Sequence, residues 1–137
     1  MEKIISKVNG TELLHFVFRG SNISPSRKDL SPENEFLQLS CFELSKGSTF
    51  RPHKHIFHEK VTNIAQESWV VIEGSVEVTY YDIDDTVLCK KTLNSGDVSV
   101  TFRGGHNYLI LSETAKVYEF KTGPYLGQKY DKVFIEE

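Results

Sequence analysis

The sequence has no hydrophobic run long enough to cross a bilayer and no excess of positive charge. No stretch approaches the roughly 20 apolar residues that a membrane-spanning helix needs. Its 16 Lys and Arg are outnumbered by 19 Asp and Glu, for a formal net charge of -3, whereas proteins that bind nucleic acid usually carry a basic patch. MEKIISKVNG lacks a long apolar segment and a small-residue cleavage site. We therefore expect a cytoplasmic protein with neither nucleic-acid nor membrane partners.

Cysteine, helical periodicity and internal repeats are also scarce or absent. The two cysteines, Cys41 and Cys89, lie in separate apolar segments. Without an export signal, they are predicted to be reduced core residues rather than a disulfide. No linker or low-complexity run divides the 137 residues, a length that fits one domain. Residues 21–35 contain Pro25 and Pro32 and are predicted to form a loop.

The pattern that recurs is the short strand, in which β-branched and aromatic residues alternate with polar ones between turn residues. Roughly ten short strands at close spacing predict an all-β sandwich or barrel, and a jelly roll fits the strand count best. The segments are LLHFVF (13–18), FLQLSCFEL (36–44), SWVVIEG (68–74), SVEVTYYD (75–82), VLCKKTL (87–93), VSVTF (98–102), NYLILS (107–112), KVYEFKT (116–122) and KVFIEE (132–137).

Three of the five histidines fall within GSTFRPHKHIFHEK, residues 47–60. Side chains at i and i+2 of a strand project from one face, so His53 and His55 are predicted to point the same way, with Arg51 in line. Neutral imidazole is a good ligand for Zn, Cu, Fe and Ni. The pair therefore indicates half of a metal site, although a solvated strand with incidental histidines fits it as well. His58 is predicted to be a loop residue.

Two distant residues add to the metal hypothesis. Glu67 opens ESWVVIEG and would supply a carboxylate. His106 follows Gly104 and Gly105, which let backbone approach closely, as a crowded site requires. His15, within the apolar LLHFVF, is predicted to be a strand histidine with satisfied hydrogen bonds rather than a ligand.

The spacing of these residues resembles that of the cupin superfamily of small jelly-roll barrels. Gly47 is followed by five residues and then His53-Lys54-His55, and Glu67 is followed by six residues and then Gly74. Gly96 and five residues lead to Phe102-Arg103-Gly104-Gly105-His106. The resemblance covers residues 47–110. It implies a double-stranded β-helix and a divalent transition metal (Zn, Fe, Mn or Ni) held by His53, His55, Glu67 and His106.

The sequence departs from the cupin pattern in three places, one of which is Ile110, where the family often has asparagine. Eleven residues separate His55 from Glu67 where the family has three or four, so IFHEKVTNIAQ is predicted to be an inserted loop. Glu59 is consequently a rival to Glu67 as the carboxylate ligand. Phe102 stands where the family has proline. The resemblance implies one domain over 1–137, with an N-terminal strand and loop (1–35), a barrel core (36–122) and a C-terminal turn and strand (123–137).

Other polar residues are candidates for binding or chemistry. Arg51 is predicted to project from the same strand face as the two histidines, and Tyr108 from the same face as His106. Arginine suits bidentate binding of carboxylate or phosphate. We predict catalytic roles for Glu67, Tyr108 and Arg51, and substrate contacts for Arg51 and for the residues Arg103, Glu119 and Lys121.

The strand 116–122 allows two orientations. If Val117, Glu119 and Lys121 face the barrel interior, the two charged groups lie near the metal. The alternative, which we prefer from sequence, places Tyr118 and Phe120 in the core and the charges in water.

VYEFKTGPYLGQKYDK (117–132) resembles a tail of small single-domain bacterial cupins that are often encoded beside surface-polysaccharide and nucleotide-sugar genes. The resemblance implies a metal-dependent enzyme acting on a small polar metabolite such as a sugar or nucleotide-sugar derivative, by isomerase, epimerase or lyase chemistry, with dioxygenase chemistry as a further option. A non-catalytic metal-containing module that binds a sugar is the alternative, and a structural jelly roll without metal is a third. Metal-free epimerases of related fold leave Glu67 unexplained. The resemblance also implies a homodimer.

Overall fold

The structure is a computed structural model that describes residues 1–136, and it consists mainly of antiparallel strands. Strands account for 38% of the residues and helix for 5%. The predicted all-β class is therefore confirmed. The strands are β1 (Glu2–Ile5), β2 (Leu13–Phe18), β3 (Lys28–Asp29), β4 (Ser40–Cys41), β5 (Glu67–Glu73), β6 (Ser75–Tyr81), β7 (Val87–Asn94), β8 (Val98–Thr101), β9 (Gly105–Ile110) and β10 (Lys116–Lys121). A 3-10 helix covers Gly20–Asn22, and the one α-helix in this range, α1, is Gln128–Asp131.

The strands form three sheets. The largest has five strands in the order β1-β2-β8-β5-β10, a second has three in the order β7-β6-β9, and β3 pairs with β4. None of these sheets closes on itself within residues 1–136. β5 lies between β8 and β10, and β9 lies at the end of its sheet with β6 as its neighbour. β5 therefore has a neighbour on each side, whereas β9 and β10 each have one free edge.

The main core lies between the five-stranded and three-stranded sheets. Alternation along β6 sends Val76, Val78 and Tyr80 inward, and all three are fully buried. They pack against inward side chains of the facing sheet, among them Val17 and Val71. The period-2 pattern of the sequence therefore predicts this face correctly.

A second core covers the outer face of the five-stranded sheet. Phe16, Val100 and Phe102 are fully buried there and contact side chains from residues 30–41. Because β2 is covered on both faces, its sequence LLHFVF is apolar at nearly every position instead of alternating. Cys41 packs on this second core and Cys89 on the main core. Both thiols are free and partly buried, as predicted.

Three strand predictions are wrong in whole or in part. Residues 42–66, the histidine segment, contain neither strand nor helix, although His53 and His55, with Arg51 in line, were expected to lie on a strand. Only Ser40–Cys41 of the predicted strand 36–44 forms a ladder. Residues 132–136 form no strand, and Glu137 lies outside the described residues. A strand requires a neighbour for its backbone groups, and side-chain alternation alone does not supply one.

Across residues 1–136, no helix is both long and apolar enough to cross a membrane.

Candidate functional site

Glu67 and His106 meet in the space between the two larger sheets. Glu67 is the first residue of β5, and His106 is the second residue of β9. The Nε2 atom of His106 lies 3.0 Å from Oε1 of Glu67. Because an ionised carboxylate can only accept, Nε2 donates this hydrogen bond. The fold therefore brings together two of the four residues predicted to bind metal, from positions 39 apart in sequence.

The turn before β9 aims His106 at Glu67. Gly104 has a φ of 76°, and a Cβ on it would lie 2.5 Å from the carbonyl oxygen of Tyr81. Only glycine adopts this conformation and tolerates this approach without strain. The expectation that the two glycines permit close backbone approach is thus confirmed at Gly104.

The environment of Glu67 keeps its carboxylate ionised. Burial raises the pKa of Glu67, but the hydrogen bond from His106 and the positive charges of His106, Lys132 and Lys121 lower it more, and the net pKa falls below its ordinary value. The Nδ1 atom of His106 is buried and has no hydrogen-bond partner within residues 1–136. The site therefore contains an anionic oxygen and an imidazole with one unengaged nitrogen.

Two aromatic rings form a wall beside this pair. Trp69 of β5 stacks on Tyr108 of β9, with centroids 3.7 Å apart and planes 4° apart. The indole Nε1 donates a hydrogen bond of 3.1 Å to Oε2 of Glu119. Burial raises the pKa of the Tyr108 hydroxyl well above its ordinary value, against a smaller lowering by the Ser99 hydroxyl. Tyr108 consequently remains a protonated donor at neutral pH.

β10 turns its charged residues toward the cleft. Lys121 is opposite Glu67 in the ladder and Glu119 is opposite Trp69, whereas Tyr118 and Phe120 are 62% and 55% exposed. The preferred prediction, which put the two aromatic residues in the core, is therefore wrong, and the alternative orientation is confirmed. The physical reason is that Val117 of the same strand packs on the main core, so alternation puts Tyr118 and Phe120 on the opposite, outer side of the sheet.

A cleft of about 730 Å³ opens onto the pair and is lined in part by β5, β9 and β10. Another part of its wall comes from the C-terminal segment, residues 131–135. Asp131 of α1 accepts a hydrogen bond of 3.0 Å from Nζ of Lys121. Ile135 packs on Gly105, so closely that a Cβ on the glycine would collide with it. No sequence signal predicted this wall, because it depends on a fold-back between residues that do not share an element.

His53 and His55 lie elsewhere, on the exposed histidine segment. Their rings are neighbours, with centroids 5.7 Å apart, and Nδ1 of His53 lies 2.9 Å from the carbonyl oxygen of Arg51. Arg51, His58 and Glu59 are exposed on the same segment. Over residues 1–136, no three His, Cys, Asp or Glu side chains are grouped so that they could hold a metal ion. The predicted set of four is thus divided into two separate pairs.

Arg103 borders the cleft but is engaged on its other side. Its guanidinium forms ion pairs of 2.8 Å with Glu35 and 3.4 Å with Glu12. Glu35 also accepts a hydrogen bond of 2.6 Å from Gln66, the residue before β5. This network ties the loop before β9 to the start of β5. It gives Arg103 a structural role that sequence reasoning missed.

His15 is a satisfied core histidine, as predicted. Its Nε2 lies 3.0 Å from the Tyr81 carbonyl oxygen, to which it donates, so Nδ1 accepts from the Thr101 hydroxyl at 3.0 Å. Burial lowers the pKa of His15 to about 4.

The chain matches no protein-family model, no curated protein and no solved structure.

Proposed function

We propose that the chain is a cupin-type, metal-dependent protein that binds a small polar metabolite in the cleft beside Glu67 and His106 and converts it. The observation that carries this proposal is the 3.0 Å contact between a carboxylate oxygen and an imidazole nitrogen that come from different sheets. Both side chains line a cleft large enough for a small ligand.

The two residues suit a divalent transition metal. Carboxylate oxygen and imidazole nitrogen are both common ligands of Zn, Fe, Mn and Ni. Two donors that share one cation, each at about 2.1 Å, lie roughly 3.0 to 3.4 Å apart. The observed separation between Nε2 and Oε1 agrees with shared ligation, and the unengaged Nδ1 leaves His106 free to give up the Nε2 proton.

His53 and His55 would complete the set if the histidine segment paired with the free edge of β9. This segment carries apolar side chains in water, with Ile56 and Phe57 87% and 95% exposed. Pro52 lacks an N–H, which suits a strand at the edge of a sheet. Such pairing would add a fourth strand beside β9, cover apolar surface and complete a jelly roll. Glu59 lies on the same segment as the two histidines, and Glu67 lies on β5. The carboxylate ligand would then be whichever of the two comes within bonding distance of the shared cation.

A divalent cation held by these residues would act as a Lewis acid toward a carbonyl or hydroxyl group of the metabolite. Glu67, kept ionised, can accept a proton at its carboxylate. Tyr108 stays protonated, but its hydroxyl is buried without a hydrogen-bond partner in residues 1–136, so it would have to turn into the cleft to donate a proton. The stacked wall of Trp69 and Tyr108 excludes water from one side and presents flat apolar surface of the kind that packs against a sugar ring. Isomerase, epimerase or lyase chemistry suits this set, and dioxygenase chemistry would require iron or a similar metal.

One observation favours the non-catalytic alternative. Arg51, predicted to be catalytic and to bind substrate, is exposed on the histidine segment rather than in the cleft, so the predicted catalytic set is incomplete there. A sugar-binding module would need only the wall and the polar rim. The cytoplasmic location and the homodimer stay predictions; for the homodimer, the edge strand β10 supplies a physical reason, since unpaired edges invite pairing.

Metal analysis by inductively coupled plasma mass spectrometry tests the ligand set. We expect about one metal per chain in the wild type and a large loss in His53→Ala, His106→Ala and Glu67→Gln. His58→Ala changes a neighbouring histidine of the same exposed segment and should retain the metal, and comparison of Glu59→Gln with Glu67→Gln decides which carboxylate is the ligand. Equal metal content in all six proteins would remove the proposal. Turnover assays of metal-loaded protein with nucleotide sugars and keto acids then separate an enzyme from a binding module.

A further inference from the structure

Lys121 lies just behind the lining of the cleft, where its positive charge is paired with Asp131, a carboxylate that does line the cleft. Its ammonium group lies 3.0 Å from Oδ2 of Asp131, 3.7 Å from Oε1 of Glu119 and 4.4 Å from the centre of the Tyr125 ring. The hydrogen bond from Lys121 to Asp131 raises the pKa of Lys121 above its ordinary value. Lys121 is also the ladder partner of Glu67, so this charge sits next to the proposed reaction site.

The segment that supplies Asp131 is weakly attached. Asp131 ends a helix of only four residues, too short to be stable by itself. Beyond it, Val133 and Phe134 are exposed, and Ile135 makes the apolar contact with Gly105. A segment with few buried apolar contacts opens locally at low free-energy cost.

We infer that Lys121 is the carboxylate-binding position of the cleft and that Asp131 occupies it as an internal competitor. A metabolite bearing a carboxylate, such as a sugar acid, would take the place of Asp131 on Lys121 and displace residues 128–135. A neutral sugar offers no group to replace the Asp131 carboxylate and would leave the segment in place. This inference rests on the proposed function only in taking the cleft as the ligand site, because binding at Lys121 does not require a cation.

Trp69, the only tryptophan of the chain, lines the same cleft and reports ligand binding by its fluorescence. We expect D-glucuronate to change the emission and D-glucose, tested at equal concentration, to bind much more weakly. Asp131→Asn removes the competing charge and should tighten glucuronate binding by about tenfold, since a tethered competitor acts at a millimolar effective concentration. Lys121→Gln should weaken it by at least tenfold.

Lys116 and Glu73 provide matched controls, because they form an ion pair on the same strand pair, outside the cleft. Lys116→Gln and Glu73→Gln should leave the glucuronate affinity unchanged. The inference is overturned if Asp131→Asn fails to tighten binding, or if Lys116→Gln weakens it as much as Lys121→Gln does.

Amide hydrogen exchange on the wild type tests displacement without any substitution. Saturating glucuronate should speed exchange in residues 128–135, and glucose should not; unchanged or slower exchange with glucuronate would refute an internal competitor. Metal content measured on the same samples separates the two proposals. Metal binding without an effect of Asp131→Asn would refute only the carboxylate position, and equal metal content in the wild type and the ligand variants, with the expected effect of Asp131→Asn, would refute only the metal-dependent function.

Discussion

The indole of Trp69 lies flat against the phenol ring of Tyr108, and the two residues belong to different sheets. The stack therefore joins the sheets at the level of the cleft, two residues along each strand from Glu67 and His106. Glu119, from a third strand, accepts the indole N–H. Aromatic contacts of this kind contribute roughly 0.5 to 1.5 kcal/mol beyond the area they bury. The wall of the cleft is thus set by packing and by one directional hydrogen bond.

The hydrogen bond to Glu119 should orient the indole. Glu119→Ala removes the acceptor, and we expect a shifted Trp69 emission maximum together with a loss of at most about 1 kcal/mol in unfolding free energy, because the carboxylate is partly exposed. Glu119→Gln keeps a carbonyl oxygen at the same position and should retain the wild-type emission. Fluorescence spectra and urea titrations measure both effects. If the two variants share one emission maximum, the carboxylate does not set the position of the ring.

The turn at Gly104 should be intolerant of a side chain. In Gly104→Ala the new Cβ meets the Tyr81 carbonyl oxygen, and we expect a loss of about 3 kcal/mol in unfolding free energy from the combined clash and backbone strain. Gly47→Ala is the matched control, because Gly47 has a φ of 87° with no atom within 4 Å of the added Cβ.

The control should lose only about 1 kcal/mol, which is the cost of the left-handed conformation alone. Urea denaturation at neutral pH gives both values. Equal losses in Gly104→Ala and Gly47→Ala would show that the approach of Tyr81 is not what requires glycine at position 104.

His15 should make folding stability depend on pH in the acidic range. Its pKa is about 4 in the folded chain and about 6.5 when unfolded. Between these values the unfolded chain binds more protons, so the free energy of unfolding rises with pH. The stabilising contribution is present above pH 6.5 and is lost as the pH falls toward 4. The shift corresponds to about 3 kcal/mol.

Urea titrations at several pH values between 4 and 7 measure this dependence, with His15→Gln as the comparison. Glutamine can still donate to the Tyr81 carbonyl but does not titrate, so the variant should be less stable at pH 7 and show a shallower slope. Parallel slopes in the two proteins would assign the acid sensitivity to other groups.

The sequence predicts several features correctly because each of them depends on the residues that neighbour it along one strand. Alternation on β6 predicts its buried face, and a histidine flanked by apolar residues on β2 predicts the hydrogen-bonded state of His15. Of the four residues that the resemblance implies as metal ligands, Glu67 and His106 lie together, although they come from separate sheets. In each case the required partner is a strand that the sequence itself makes recognisable.

Other features depend on partners that no local pattern encodes. The histidine segment alternates like a strand, but a strand needs an adjacent edge, and its placement is a property of the whole fold. The orientation of β10 was predicted wrongly because the hydrophobicity of Tyr118 and Phe120 says nothing about whether their side of an edge strand is covered. The contact between Asp131 and Lys121 requires the chain to reverse direction after β10, and neither residue carries a signal for it.

The position of β5 between β8 and β10 has a consequence for how the cleft moves. Glu67 and Trp69 are carried by a strand that is hydrogen-bonded along both sides, so this wall should keep its shape until the whole domain unfolds. The opposite wall, from Asp131 to Ile135, has no such ladder. The wall from β5 therefore stays fixed in the folded protein, and the wall from Asp131 to Ile135 can open and close repeatedly without global unfolding.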